Sequence, residues 1–316
     1  MLAEAATEVK GVDLVGVADR DPGRLATLAT RLGLTDDRCF TDAAQLYSAQ
    51  PIDLAIVATT SPSHAALGQL AVAAGVRRLL VEKPIDVSYL AGAALVEGAR
   101  RAGTALSVGY IRRWSIDHRA IADAVMSGQI GPPRAITAVV GPGELAMHGS
   151  HVVDFCRMVL RSAPVEVTAR LRPGRASNRR GREFEDPTGH LAMRFASDAH
   201  AFINFEDHQQ SRSWITTIYG DDGTIVVEDA RGVWTMRGRS GRMWTFPMVQ
   251  PLSQVVPTAS RTVAGVLVEG VPACTGEDGL AALEVVLAAL HSSEDGGRPV
   301  ALPLTADQRS LVGRFP

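Results

Sequence analysis

Residues 53–84 read D-L-A-I-V-A-T-T-S-P-S-H-A-A-L-G-Q-L-A-V-A-A-G-V-R-R-L-L-V-E-K-P, and their pattern decides the fold. Asp53–Ala58 is a short apolar run that reads as a buried strand, and T-T-S-P-S-H is a polar turn. Ala65–Ala74 predicts an amphipathic helix closed by Gly75. Arg78–Glu82 predicts the next strand, broken at Lys83-Pro84. Short apolar strands alternating with helices imply a parallel sheet covered on both faces. Right-handed crossovers make such a sheet doubly wound.

The same alternation extends in both directions. Upstream, Val12–Asp19 predicts a strand ending in an acidic residue. A helix from Pro22 to Leu32 follows, with Asp21 as N-cap and Gly33 as its stop. Cys39–Phe40 reads as a brief extended piece and Asp42–Ala49 as a short helix. Downstream, Val87–Ala102 predicts a helix and Ala105–Val108 a fourth strand before Gly109. Ligands bind such sheets beyond the carboxyl ends of the strands. Asp19, Thr59–His64, Glu82–Pro84 and Gly109–Arg113 fall at those ends and are therefore candidate site residues. Past Ile116–Ser127, another predicted helix, the character changes. Ala135–Val140 reads as a strand and Leu145–Val159 as a helix. Alternating segments then follow at 165–171, 188–195, 199–206, 214–219, 224–228 and 233–237. Their spacing suggests a mostly antiparallel sheet. Gly279–Ser293 reads as a helix, Val300–Leu304 as an extended end, and the basic Arg172–Glu185 stretch as a mobile loop.

A chain of 316 residues with 46% hydrophobic and 21% charged residues has material for about two packed domains. A net charge of −2 excludes a basic stripe for nucleic acid. No apolar run reaches membrane-spanning length, and the N-terminus lacks a signal pattern, so a cytoplasmic location is expected. Cys39, Cys156 and Cys274 show no metal spacing, and no metal is expected. The chain is rich in arginine and has only two lysines, Lys10 and Lys83. Where charge alone suffices it uses Arg, so a retained Lys is a candidate for work needing an ammonium that can release its proton.

Eight segments, in order along most of the chain, resemble the glucose-fructose oxidoreductase / inositol dehydrogenase (Gfo/Idh/MocA) family. They are V-A-D-R-D at 17–21, A-T-T-S-P-S-H at 58–64, V-E-K-P at 81–84 and V-G-Y-I-R-R-W at 108–114. S-G-Q-I-G at 127–131 and H-G-S-H-V-V-D at 148–154 follow, with Y-G-D-D-G-T at 219–224 and G-E-D-G at 276–279 closing the series. The resemblance implies an α/β fold with a Rossmann-type domain over residues 1–111. A substrate-binding and oligomerisation domain with an open, mostly antiparallel sheet would occupy 112–316. It further implies NAD(P), hydride transfer at a carbinol or keto carbon of a sugar, cyclitol or similar molecule, and homo-oligomers built through the open sheet. Two other roles fit the same resemblance: a cofactor-binding pseudo-enzyme, and an NAD-assisted redox-neutral glycosidase or epimerase.

The resemblance also implies roles for individual residues. Lys83 matches the E-K-P lysine beside nicotinamide and reacting carbon, and His151 matches the catalytic histidine. Asp154, three residues on, would face the same side as His151 and orient its ring. Many family members carry D-x-x-x-H, but here the Asp position is Met147; its neighbour His148 could substitute in part, although a step of one residue points about 100° away around a helix. Tyr110 and Arg113 are placed to line the cleft, and Arg112 or Arg113 could clasp substrate hydroxyls or an anion. Thr59, Pro62, His64 and Glu82 would run beside the cofactor. Asp19 would bond both ribose hydroxyls and favour NAD, whereas Arg20 next to it could accommodate NADP.

The glycine-rich G-x-G-x-x-G of dinucleotide folds does not occur in the sequence. Met1–Glu8 reads as the tail of a first helix, already past that loop. Roughly 20 residues of a Rossmann start are expected to be missing, with a misplaced start codon as the reason. Translating the coding DNA upstream of Met1 in frame is expected to yield a strand followed by G-x-G-x-x-G. A stop codon directly upstream of Met1 would count against this.

Overall fold

The computed structural model describes residues 2–141, 143–174, 181, 183–205, 213–252, 255–268 and 272–316. In the first third, α1 (Leu2–Thr7), β1 (Val17–Ala18), α2 (Pro22–Leu32), β2 (Cys39–Phe40) and α3 (Ala43–Ala49) lead into β3 (Leu54–Val57). Then come α4 (His64–Ala73), β4 (Arg78–Val81), α5 (Tyr89–Ala102) and β5 (Ala105–Val108). The helix ends follow the local chemistry. Asp21 accepts the Gly23 and Arg24 N–H groups at the start of α2, and Asp42 does the same for Ala44 and Gln45 at α3. Gly33, at φ 64°, ends α2 in the left-handed conformation.

β3, β4 and β5 form one parallel sheet, and β1 pairs with β2 in another. The strand expected over Val12–Asp19 is ladder-paired only at Val17 and Ala18. The reason is visible in the carbonyls before it. Leu14 O accepts from the Arg38 guanidinium and Val15 O from the Gln50 amide, so side chains take the place of a neighbouring strand.

The rest of the chain supplies α6 (Ile116–Met126), β6 (Pro133–Gly141), a π-helical turn (Leu145–Gly149) and α7 (Ser150–Leu160). It continues with β7 (Pro164–Arg172), β8 (Thr188–Phe195), β9 (His200–Phe205), β10 (Ser213–Gly220), β11 (Gly223–Glu228), β12 (Val233–Arg237) and β13 (Met243–Pro247). The last elements are α8 (Val255–Val268), α9 (Gly276–Glu294) and β14 (Val300–Ala301). The nine strands β13-β12-β11-β10-β6-β9-β8-β7-β14 form one open sheet, antiparallel except where β6 meets β9. One face of it is apolar and covered, carrying Ile136, Ala201, Ile203, Leu191 and Ile218. The opposite face leaves Val139, Phe202, Ile215 and Tyr219 exposed. β13 and α8 were not expected from the sequence. Much of the loop expected over Arg172–Glu185, namely 175–180 and 182, lies outside the described residues. Among the described residues no helix is long and apolar enough to cross a membrane, and no group of side chains could hold a metal ion.

Helix α9 joins the two sheets, packing on β5 and α5 at one side and on β7 at the other. Its first turn lies so close to β5 that only glycine fits. A Cβ on Gly276 would come within 2.6 Å of Leu106, and one on Gly279 within 2.5 Å of Val108. This explains the G-E-D-G segment by packing.

A buried charge cluster fastens the turn after β5 to the open sheet. Arg112, 2% exposed, donates to Asp229 at 2.8 Å, and its guanidinium lies 4.9 Å over the Trp214 ring. His118 on α6 holds its Nε2 3.0 Å from the same carboxylate. Burial pulls the Asp229 carboxyl upward, but Arg112 and His118 outweigh it and hold it below the usual carboxylate range. Removing one partner strands the others in a medium that solvates them poorly. Asp229→Ala is therefore expected to cost about 3–5 kcal/mol in urea unfolding. A loss under about 1 kcal/mol would mean the cluster is hydrated or dispensable.

Candidate active site

The carboxyl ends of the parallel strands gather the expected residues. Lys83 follows β4 and is 8% exposed, and its peptide bond to Pro84 is cis. Its ammonium donates to the Met147 carbonyl at 2.8 Å and lies 3.7 Å from the Met147 sulfur. Glu82 turns back on its own loop, accepting the Lys83 N–H at 3.1 Å. Asp86, buried and not anticipated from the sequence, accepts Val87 and Ser88 N–H on this loop and Ala65 N–H on α4. It locks the E-K-P turn to the adjacent helix.

His64 was expected beside the cofactor, but the structure buries it between the two turns. Its Nδ1 is 2.7 Å from Pro84 O and its Nε2 3.1 Å from Thr59 O. Two carbonyl acceptors would suit a doubly protonated ring, yet burial lowers its pKa despite those carbonyls. The neutral ring has one N–H, and the shorter contact assigns it to Pro84. His64 therefore holds the turns in place. Thr59 and Pro62 beside it are exposed, Asp19 is half-buried and Arg20 is exposed.

His151 is on the first turn of α7, half-buried, with Nδ1 enclosed and without a hydrogen-bond partner among the described residues. Burial pushes its pKa well below 6.5, and the charges of Lys83, Arg112 and His148 push the same way. The imidazole is thus neutral. Tyr110 packs edge-on against it at 5.6 Å between ring centres, with no exposed surface. It backs the histidine, and the cleft-lining position expected for it is not the one observed.

Asp154 differs from expectation too. It does not orient His151. Its carboxylate takes a bidentate pair from Arg113, at 2.8–3.0 Å, and Arg157 lies 3.5 Å away. Arg113 in turn reaches Asp278 at 3.0 Å. A guanidinium outcompetes a neutral imidazole for a buried carboxylate because only it neutralises the charge. The fork of Arg113, 13% exposed, is thereby committed inside the protein and not turned to a substrate.

The π-helical turn carries Met147 and His148 up to the lysine. Insertions of this kind break the regular angular step of a helix, so the offset expected between positions 147 and 148 is not that of an α-helix. His148 is half-buried, its Nδ1 2.6 Å from Glu144 Oε2 and its ring edge-on to Trp214 at 5.6 Å. Behind the turn, Asp186 accepts the Ala146 and Met147 N–H groups, each at 2.8 Å. Glu144 and Asp186 were missed in the sequence. An acidic residue before proline at a strand start, E-D-P-T, is the one local sign of Asp186.

The residues suit a dinucleotide. Accessible polar groups, Asp19 after β1, Thr59 after β3 and Glu82 after β4, stand at the carboxyl ends of parallel strands, with an acidic side chain at the position where ribose hydroxyls are recognised. The fold is that of an NAD-binding Rossmann domain followed by a domain with an open, mostly antiparallel sheet. The "Oxidoreductase family, NAD-binding Rossmann fold" model of GFO_IDH_MocA matches residues 1–110, and the GFO/IDH/MocA C-terminal domain model matches 137–226. The chain belongs to the GFO/IDH/MocA family. It is 34% identical to D-apiose dehydrogenase from Paraburkholderia graminis over 126 residues, covering 40% of this chain and 33% of that protein. That match thus spans about a third of the relative's length. Similarity to 1,5-anhydro-D-fructose reductase from Ensifer adhaerens is 25% over 316 residues, covering 92% of each. In fold, the chain resembles an oxidoreductase from Agrobacterium radiobacter in complex with NAD+, L-tartaric acid and magnesium. That match has a TM-score of 0.80 at 23% identity, over 95% of this chain and 94% of the other. An inositol dehydrogenase homolog from Azotobacter vinelandii, complexed with NADH and myo-inositol, gives 0.79 at 16%, over 95% and 93%.

The histidines bear on stability. His151 and His64 have folded pKa values below the unfolded 6.5, so below that pH the unfolded chain binds protons that the folded chain does not. Their contribution is fully present above about pH 6.5 and is lost as pH falls below it. Melting temperature should therefore decline between about pH 7 and pH 5, and His151→Asn should flatten that decline. Parallel curves for variant and wild type would show His151 to be solvated.

Proposed function

We propose that the chain is an NAD-dependent dehydrogenase or reductase acting on a carbinol or keto carbon of a sugar, cyclitol or related polyol. The observation that carries this reading is the pairing of a buried Lys83 ammonium with a neutral His151 whose Nδ1 is uncommitted among the described residues. In the oxidative direction the neutral imidazole accepts the hydroxyl proton, and the Lys83 ammonium donates a hydrogen bond to the same oxygen. In the reductive direction the proton returns to the carbonyl oxygen. Bound NAD supplies the hydride acceptor or donor. Glu82 and Asp86 keep the E-K-P turn rigid, so the ammonium is aimed before substrate arrives. Asp19 favours NAD because its carboxylate can accept from both ribose hydroxyls and would repel a 2′-phosphate. The division at 111/112 puts the cofactor residues in one domain and His151 in the other. The exposed Val139, Phe202, Ile215 and Tyr219 suit the open sheet as a face between copies of the chain.

Turnover of NAD with a panel of cyclitols, aldoses and their ketones tests the proposal. Lys83→Ala should lower kcat by about a thousandfold while leaving NADH affinity, read by fluorescence, near the wild-type value. Equal rates for variant and wild type would remove Lys83 from the mechanism. NADH binding without turnover on any member of the panel would favour a cofactor-binding pseudo-enzyme.

A further inference from the structure

Met147 uses both of its main-chain groups at the site. Its carbonyl accepts the Lys83 ammonium at 2.8 Å, and its N–H is held by Asp186 at 2.8 Å. Asp186 stands just before β8, 7% exposed, and takes the Ala146 N–H with its other oxygen. The carboxylate thus clamps the π-helical turn at a residue whose carbonyl receives the lysine.

We propose that Asp186 is the positioning residue for Lys83, fixing the Met147 carbonyl that receives the ammonium and supplying, through that residue, a negative charge that keeps the lysine protonated. This rests on the dehydrogenase reading for its consequence in turnover, but the coupling itself is a property of the folded chain. Burial pushes the Asp186 carboxyl up to about 6, with Glu144 adding to the rise, while the two N–H groups and Lys83 oppose it. Asp186 therefore changes charge near pH 6, and Lys83 should register the change. Other groups also face the lysine's surroundings. Glu82 lies on its own turn, Arg112 on the turn after β5, and Glu144, His148 and His151 on the segment leading through α7. The test therefore compares Asp186 with variants of its acidic and imidazole neighbours on that segment, Glu144 and His148.

The lysine content makes a direct measurement practical. Isotope-labelled lysine gives only two side-chain NMR signals, from Lys10 and Lys83, and Lys83→Arg assigns them. In wild type the Lys83 signal should show an inflection near the Asp186 value of about 6. The inflection should persist in Glu144→Gln and His148→Gln and vanish in Asp186→Asn. The midpoint of Lys83 itself should fall by about one pH unit in Asp186→Asn, because loss of a nearby negative charge favours the neutral amine. In turnover, the same variant should lose about tenfold in kcat, shift the alkaline limb of its pH profile downward and keep its KM values. Asp186→Glu should restore the midpoint in part. An unmoved Lys83 midpoint in folded Asp186→Asn overturns the proposal, as does loss of the inflection in His148→Gln or Glu144→Gln. The latter two comparisons hold even if Asp186→Asn does not fold. If the signal behaves as expected while no polyol is turned over, the coupling stands and the dehydrogenase reading fails.

Discussion

The four-charge cluster of Arg113, Asp154, Arg157 and Asp278 is the interaction on which the site depends. It ties together the turn after β5, helix α7 and the first turn of α9. Two guanidinium groups and two carboxylates balance, and the bidentate Arg113–Asp154 pair adds direction to charge. Such a cluster is costly to desolvate and more costly to break by halves, because each survivor remains buried. Its value is geometric. His151 is one turn from Asp154 on α7, and Arg113 is five residues past β5 in a chain that has just left the parallel sheet. Fixing one against the other sets the imidazole's distance from the strand ends where Lys83 sits.

Helix α9 provides the second constraint. Thr275 and Asp278 close its N-terminus as a capping box. Asp278 is also a member of the charge cluster, so one carboxylate serves the helix start and the α7 junction. Gly276 and Gly279 then let the helix approach Leu106 and Val108 on β5 without a side chain between them. Cap, charge and close approach fall within five consecutive residues, 275–279. This is why G-E-D-G is compact in sequence although it organises contacts among three separate elements.

The parallel half of the fold was legible because its signals are local. Apolar runs of four residues, aspartate caps at 21 and 42 and glycine stops at 33 and 103 each reflect the backbone beside them. The elements missed in the second half lack such marks. β13 reads M-W-T-F-P with only Trp244 and Phe246 half-buried on one face, and α8 contains Pro257 and several β-branched residues, which disfavour a helix by propensity alone. Tertiary packing decides both. In the site, residues identified by chemistry at a strand end, above all Lys83, are where the sequence placed them. What could not be read was the choice of partner. The sequence puts Asp154 one turn from His151, but nothing local reveals that Arg113 will arrive from 41 residues away to claim it. Likewise His64 carries its motif's spacing, while its work of linking Thr59 to Pro84 emerges only when two turns meet.

The two lysines complete the argument from composition. Lys10 is exposed in a turn, where an arginine would serve equally. Lys83 is enclosed, within bonding distance of a main-chain carbonyl and close enough to His151 to lower its basicity. A guanidinium at position 83 would keep its charge at every accessible pH and would need room for a planar fork of donors. The Met147 carbonyl 2.8 Å from the enclosed side chain suits a compact ammonium, and the neutral histidine near it suits a group that can share a proton. The residue type is therefore dictated twice, by volume and by acidity. In an arginine-rich chain, that double requirement accounts for lysine at this position.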